Sequence, residues 1–209
     1  MTSPEPVVGW RIWRLTDGLL GSVVVDHQWE PGENLARCLS SGRPPCPEAP
    51  GPACQCGFWA VWSPRHSVAR ACPAIEPPWQ VLGLIAGWGT VALHGGEGFR
   101  AERAAVRCLF SDRPWPWSPR LLTRVTAMWH RAAGRAAGFE PPPAADLLDA
   151  PRQSVLRTVA AHYAVPLLTL RHAVDHGVLG ELGVPEHRIA EAARLSGTTW
   201  NGDEAGEPR

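Results

Sequence analysis

Cys38-Leu39-Ser40-Ser41-Gly42-Arg43-Pro44-Pro45-Cys46-Pro47-Glu48-Ala49-Pro50-Gly51-Pro52-Ala53-Cys54-Gln55-Cys56 is the stretch on which the fold turns. Its five prolines withdraw backbone donors and, with Gly42 and Gly51, forbid a regular helix or strand. A loop of this composition inside a compact chain needs an external staple. The cysteines offer one. Cys38, Cys46, Cys54 and Cys56 fall at C-x7-C-x7-C-x-C, and four thiolates complete the tetrahedral shell of a structural Zn2+. Ion binding would then contribute folding free energy that the segment lacks. The spacing is not the paired C-x2-C of zinc ribbons, so two other readings stay open: reduced buried thiols, and disulfide or redox chemistry. Cys72 and Cys108 lie in apolar or strand-like surroundings and read as small hydrophobes.

Strand signals flank this loop on both sides. Upstream, residues 9–25 read as a hairpin: Trp10, Ile12 and Leu15 are bulky, Thr16-Asp17-Gly18 is turn chemistry, and Val23-Val24-Val25 is β-prone. Downstream, Phe58-Trp59-Ala60-Val61-Trp62 and residues 81–93 read as strands, the latter interrupted by Gly83, Gly87 and Gly89 as bulges or barrel corners. Residues 99–109 form a last strand or a short helix. The expectation is an α+β protein with a Trp-rich small β-barrel or sheet over 1–112. A connector with one helix (121–137) follows at 113–143, and a three-helix domain at 144–209, with helices at 151–165, 167–176 and 185–195. Gly177, Gly180 and Gly183 read as helix stops.

Composition narrows the setting. At 209 residues, 44% hydrophobic and 19% charged, the chain is ordinary for a globular protein. Its formal net charge is zero, so no global field draws it to nucleic acid or an anionic membrane. All 20 basic residues are Arg, as a GC-rich genome favours. Residues 1–8 have neither a basic region nor an apolar run, and no stretch approaches the about 20 apolar residues that cross a bilayer. A cytoplasmic protein with reduced thiols and no membrane partner is expected.

Gly9-Trp10-Arg11-Ile12-Trp13-Arg14-Leu15, Trp29-Glu30-Pro31-Gly32, Cys54-Gln55-Cys56-Gly57-Phe58-Trp59-Ala60 and Gly87-Trp88-Gly89-Thr90-Val91 with His94 and Gly98-Phe99-Arg100-Ala101-Glu102 resemble a family of small proteins from GC-rich bacteria. Its pattern is Cys-x-Cys-Gly-(Phe/Ile)-(Trp/Tyr)-Ala followed by Trp-Gly-x-Val-x-x-His and Gly-x-Arg-Ala-Glu, and the match covers the N-terminal half. In sequences of that look the place of Cys46 is often a histidine, an equivalent zinc ligand. The resemblance therefore implies a metal, and it implies no activity.

Other constellations are candidates. His94, Arg100 and Glu102 flank a glycine-rich loop that could approach an anionic ligand, or point to water. Cys56 with His66 or His94 could form a thiol nucleophile and base, without a local signature to support it. Trp59, Trp62, Trp79 and Trp88 read as core aromatics, or as a stacking face. Arg113, Arg120, Arg124, Arg131 and Arg135 are interleaved with Trp115, Trp117 and Trp129, which suits phosphate contact or a solvated helix face. Residues 159–174 resemble a helix-turn-helix. That reading places Leu168, Thr169, Arg171 and His172 toward a major groove and Arg152 and Arg157 toward phosphates. The expected function is a non-enzymatic, zinc-stabilised regulatory protein that binds DNA or a protein partner. The alternative is an interaction adaptor or structural component without nucleic-acid contact.

Overall fold

In the computed structural model, residues 2–39, 44–69, 79–112 and 144–196 are described. The strands are β1 (Thr2–Thr16), β2 (Leu19–Ser22), β3 (Asn34–Leu35), β4 (Phe58–Val61), β5 (Gln80–His94), β6 (Gly98–Phe110) and β7 (Leu167–Leu168). The helices are α1 (Pro64–Ala69), α2 (Ala144–His162), α3 (Leu170–Asp175), α4 (Val178–Glu181) and α5 (Glu186–Ser196). The fold is α+β, with all seven strands in one sheet.

The β1–β2 turn follows from Asp17-Gly18. Both residues hold positive φ, 52° and 78°, the pair of angles that a two-residue hairpin turn needs to match strand twist. The second hairpin, β5–β6, carries a long ladder, from Gly83↔Leu109 to His94↔Gly98, with two bulges. β1 lies antiparallel to β5 along most of its length, β4 pairs with β6, and β4 also meets β1 at Trp10↔Val61. Residues 99–109 are thus strand throughout. Val23 to Val25 are not: β2 ends at Ser22, and Val24 and Val25 are exposed. Ser22 Oγ accepts from both of their amides, a local turn that competes with strand extension.

Alternation along β1 and β5 sorts side chains onto two apolar clusters. Trp13, Leu15, Val81 and Ile85 join one, with Trp29, Phe58 and Phe99; Trp10, Leu82 and Leu84 join the other, with Phe110. C-terminal helices complete both. Leu156, Val159 and Tyr163 close the first cluster, while Leu170, Val174, Leu179, Ile189 and Ala192 close the second. Among the described residues, Trp10, Trp13 and Trp29 are the core tryptophans. Trp59, Trp62 and Trp88, expected there, are only half-buried, and Trp79 is exposed.

The region after 144 departs from three plain helices. Among the described residues it holds four helices and the strand β7, which adds parallel to the end of β6 through Leu109↔Leu167 and Phe110↔Leu168. Gly177 (φ 69°) and Gly183 (φ 91°) stop helices as expected, whereas Gly180 lies inside α4. Tyr163 fastens α2 to the sheet: its hydroxyl donates to the Trp29 carbonyl at 2.6 Å and accepts from the Leu20 amide at 3.0 Å. The expected helix at 121–137, Cys72, and the Arg and Trp residues of 113–135 lie outside the described residues.

Candidate metal centre

The cysteine loop is anchored at both ends on one strand. β3, just before Cys38, pairs with Arg103 and Ala104 of β6. β4, which begins after Cys56 and Gly57, pairs with β6 from Ala101 to Gly98. Gly57 makes the return at φ 110°, a conformation that a β-carbon opposes. The loop between these anchors folds back so that the sulfurs of Cys38, Cys46, Cys54 and Cys56 all lie within 4.8 Å of one another. The Cys38–Cys54 separation is 3.7 Å. A tetrahedron with Zn–S bonds of about 2.3 Å has edges of about 3.8 Å, so the cluster is close to the size a zinc ion requires.

The surroundings suit thiolates. The Gly51 amide donates to Cys56 Sγ at 3.1 Å, a bond that stabilises sulfur as an anion. Arg100, only 3% exposed, reaches under the loop from β6. Its Nη1 donates to the carbonyls of Cys54, Cys56 (3.0 Å) and Gly51 (3.5 Å), and its Nε donates to His94 Nε2 at 2.7 Å. The guanidinium holds the loop's backbone in place from below. Two of the thiols, Cys46 and Cys56, are pushed toward the protonated form. Hydrogen bonding to Cys38 and Cys54, then burial, pushes Cys46 up to about 12. Burial raises Cys56 against the Gly51 amide.

Divalent metal must displace those protons, which sets the sign of the pH dependence. Affinity and the stability it confers are greatest at high pH and are lost as pH falls and the sulfurs reprotonate. Titrating zinc into metal-free protein in weak buffer is expected to release protons, with affinity weakening steadily from pH 8 to pH 5. A pH-independent affinity contradicts thiolate ligation.

Gly51 has a second role that sequence reading missed. A β-carbon there would stand 2.6 Å from Cys46 Sγ, a clash with a proposed ligand held by a short loop. Gly51→Ala is therefore expected to weaken zinc binding by about tenfold or more, consistent with an overpacking cost of about 1–3 kcal/mol. Competition with a chromophoric chelator measures it.

The remaining candidates are dispersed. His94 and Arg100 come together, but as part of the loop's support, with the His94 ring on Trp59 at 4.5 Å between centroids. Glu102 turns elsewhere. It accepts from the Thr90 amide at 2.9 Å, which holds its carboxyl below the usual range, and its other oxygen lies 3.7 Å from Arg103. His66 is exposed on α1. Cys108 is a buried hydrophobe, its thiol pushed up to about 12 by burial.

Arg152 is not on the surface. It is 1% exposed, and its guanidinium donates to the carbonyls of Ser111 (2.5 Å), Gln80 and Asp112 (both 3.3 Å). Leu168 lies in β7, which separates α2 from α3 where a helix-turn-helix has only a turn. Thr169 caps α3, its hydroxyl accepting from the His172 amide at 3.0 Å. Arg157, Arg171 and His172 are exposed; Arg171 lies 3.5 Å from Asp175, and His172 stacks on His176. Arg120, Arg124 and Arg131 lie outside the described residues. Among those residues no helix is long and apolar enough to cross a membrane. No family model, curated protein or solved structure matches the chain.

Proposed function

We propose that this is a non-enzymatic binding protein whose N-terminal sheet is stapled by one structural zinc ion in Cys38, Cys46, Cys54 and Cys56. The observation that carries the reading is the four-sulfur cluster. Four protein ligands leave no open position for a substrate or an activated water, which is what separates structural from catalytic zinc. The resemblance to the small-protein family, with histidine often at the place of Cys46, supports the same ligand set. The return pairing of β4 to β1 supports reading the sheet as a small barrel closed next to the centre. Reduced thiols fit a cytoplasmic setting.

Of the two binding roles, an adaptor for a protein partner is favoured over a DNA-binding regulator. Arg152 is consumed by internal carbonyls, and Arg171 has Asp175 beside it. Of the three arginines in the described helices that the DNA reading relies on, only Arg157 thus stays exposed with no ion pair among the described residues, short of the cationic stripe that phosphate contact uses. Elemental analysis is expected to find about one zinc per chain. A mobility shift with duplex DNA is expected to show no salt-sensitive complex. A metal-free protein with an unchanged melting profile removes the staple; a DNA complex that weakens steeply with salt, and further on Arg157→Ala or Arg171→Ala, reverses the choice of partner.

A further inference from the structure

Beside the cysteine loop, a cleft of about 1010 Å³ opens between the loop, the end of β2 and the outer part of β4. That volume is at the upper end of small-molecule sites. Arg11 and Ser22 line it, together with Val24, Val25, Leu39 and Trp59.

Arg11 lies on the same face of β1 as the core residue Trp13, so its guanidinium runs inward over the Trp29 ring, 4.9 Å from the centroid. Nη1 donates to the Trp59 carbonyl at 2.6 Å, and Nη2 reaches Ser22 Oγ only at 3.5 Å. Nε is buried and has no acceptor. None of the ion pairs among the described residues involves Arg11, and burial lowers its pKa to about 10. A cation drawn from water with one strong acceptor and no ion pair among the described residues is costly to the fold. A cleft that opens onto it offers a counter-charge a place to bind.

The rim has the opposite character. Val24 is 81% exposed, Leu39 57% and Val25 45%, three of the six large apolar side chains left exposed among the described residues, and all three border this cleft. Such a concentration of open apolar surface marks a binding site.

We propose that the cleft binds a small organic acid with an apolar body, its carboxylate on Arg11 with help from the Ser22 hydroxyl and its hydrocarbon part along Val24, Val25 and Leu39. A carboxylate matches a single guanidinium in charge and in its paired donors. Cys46, Cys54 and Cys56 line the far side of the same cleft, but the contacts proposed for the acid are to Arg11, Ser22 and the apolar rim and need no ion.

Decanoate titrated into the full chain by calorimetry tests it, with decanamide as the uncharged analogue. Saturable one-to-one decanoate binding is expected, at least about tenfold tighter than decanamide and lost to a similar degree in Arg11→Met. Val24→Asp, at an exposed position that the fold tolerates, is expected to weaken decanoate by about tenfold even if the Arg11 variant fails to fold. No saturable binding, equal affinity for acid and amide, tighter binding of decyl phosphate, or an unaffected Val24→Asp overturns the proposal.

Discussion

Cys54→Ser is expected to lose stoichiometric zinc and to melt well below the parent protein, while Cys108→Ser keeps its zinc. Cys54 lies 3.7 Å from Cys38, within the four-sulfur cluster, and its carbonyl is one of those that Arg100 holds. A hydroxyl is a poor substitute for a thiolate in a tetrahedral sulfur shell, so the site loses one of four bonds. In zinc-dependent peptides the apparent binding free energy is about 10–16 kcal/mol. This chain has two apolar clusters of its own, so only the part that orders the proline-rich loop is at stake. A loss of about 3 kcal/mol, at about 2–4 °C per kcal/mol for a chain of this size, lowers Tm by about 6–12 °C. Calorimetry with metal analysis on both variants separates a ligand from a buried hydrophobe. Equal zinc content in the two contradicts the assignment.

The second large effect is at Arg152. Arg152→Met is expected to destabilise the protein by about 3–5 kcal/mol, from buried carbonyls that each lose a charged donor at about 1–3 kcal/mol apiece. The carbonyls of Gln80 and Asp112 lose a charged donor; Ser111 retains only the Gln153 side chain at 3.2 Å. Met fills the volume, so the loss is chiefly one of hydrogen bonding. Arg157→Met, at an exposed position of the same helix, is expected to change stability by less than about 0.5 kcal/mol. Denaturant unfolding of the pair decides between an internal clamp and a surface phosphate contact, since a surface role predicts equal, small effects.

These two residues also mark how far sequence reading reaches. The cysteine cluster is legible because proline and glycine exclude regular structure while the sulfurs recur within one loop. The β1–β2 hairpin is legible because Asp17-Gly18 admits few other conformations. The long apolar run of 81–93 is legible as a strand because bulky residues alternate between two buried faces. Arg152 is not legible. On sequence it is one arginine among many in a helix, and only the fold brings to it the carbonyls of Gln80, at the start of β5, and of Ser111 and Asp112, just after β6. The same holds for Arg100, noticed for its charge beside a glycine-rich loop and found holding the cysteine loop instead. The two-residue strands β3 and β7 carry no periodic signal, and Val23 to Val25 show β-propensity yielding to a local turn at Ser22. Trp10 and Trp13 occupy the core because β1 is covered on both faces, and Trp29, from the loop after β2, packs onto Trp13 and Phe58.

Zinc K-edge X-ray absorption on protein purified without added metal tests the central claim most directly. The four-cysteine staple predicts about one zinc per chain with a first shell of four sulfurs at about 2.3 Å. A shell containing nitrogen or oxygen in place of any of the sulfurs, or a folded protein that carries no metal and takes none up, contradicts it.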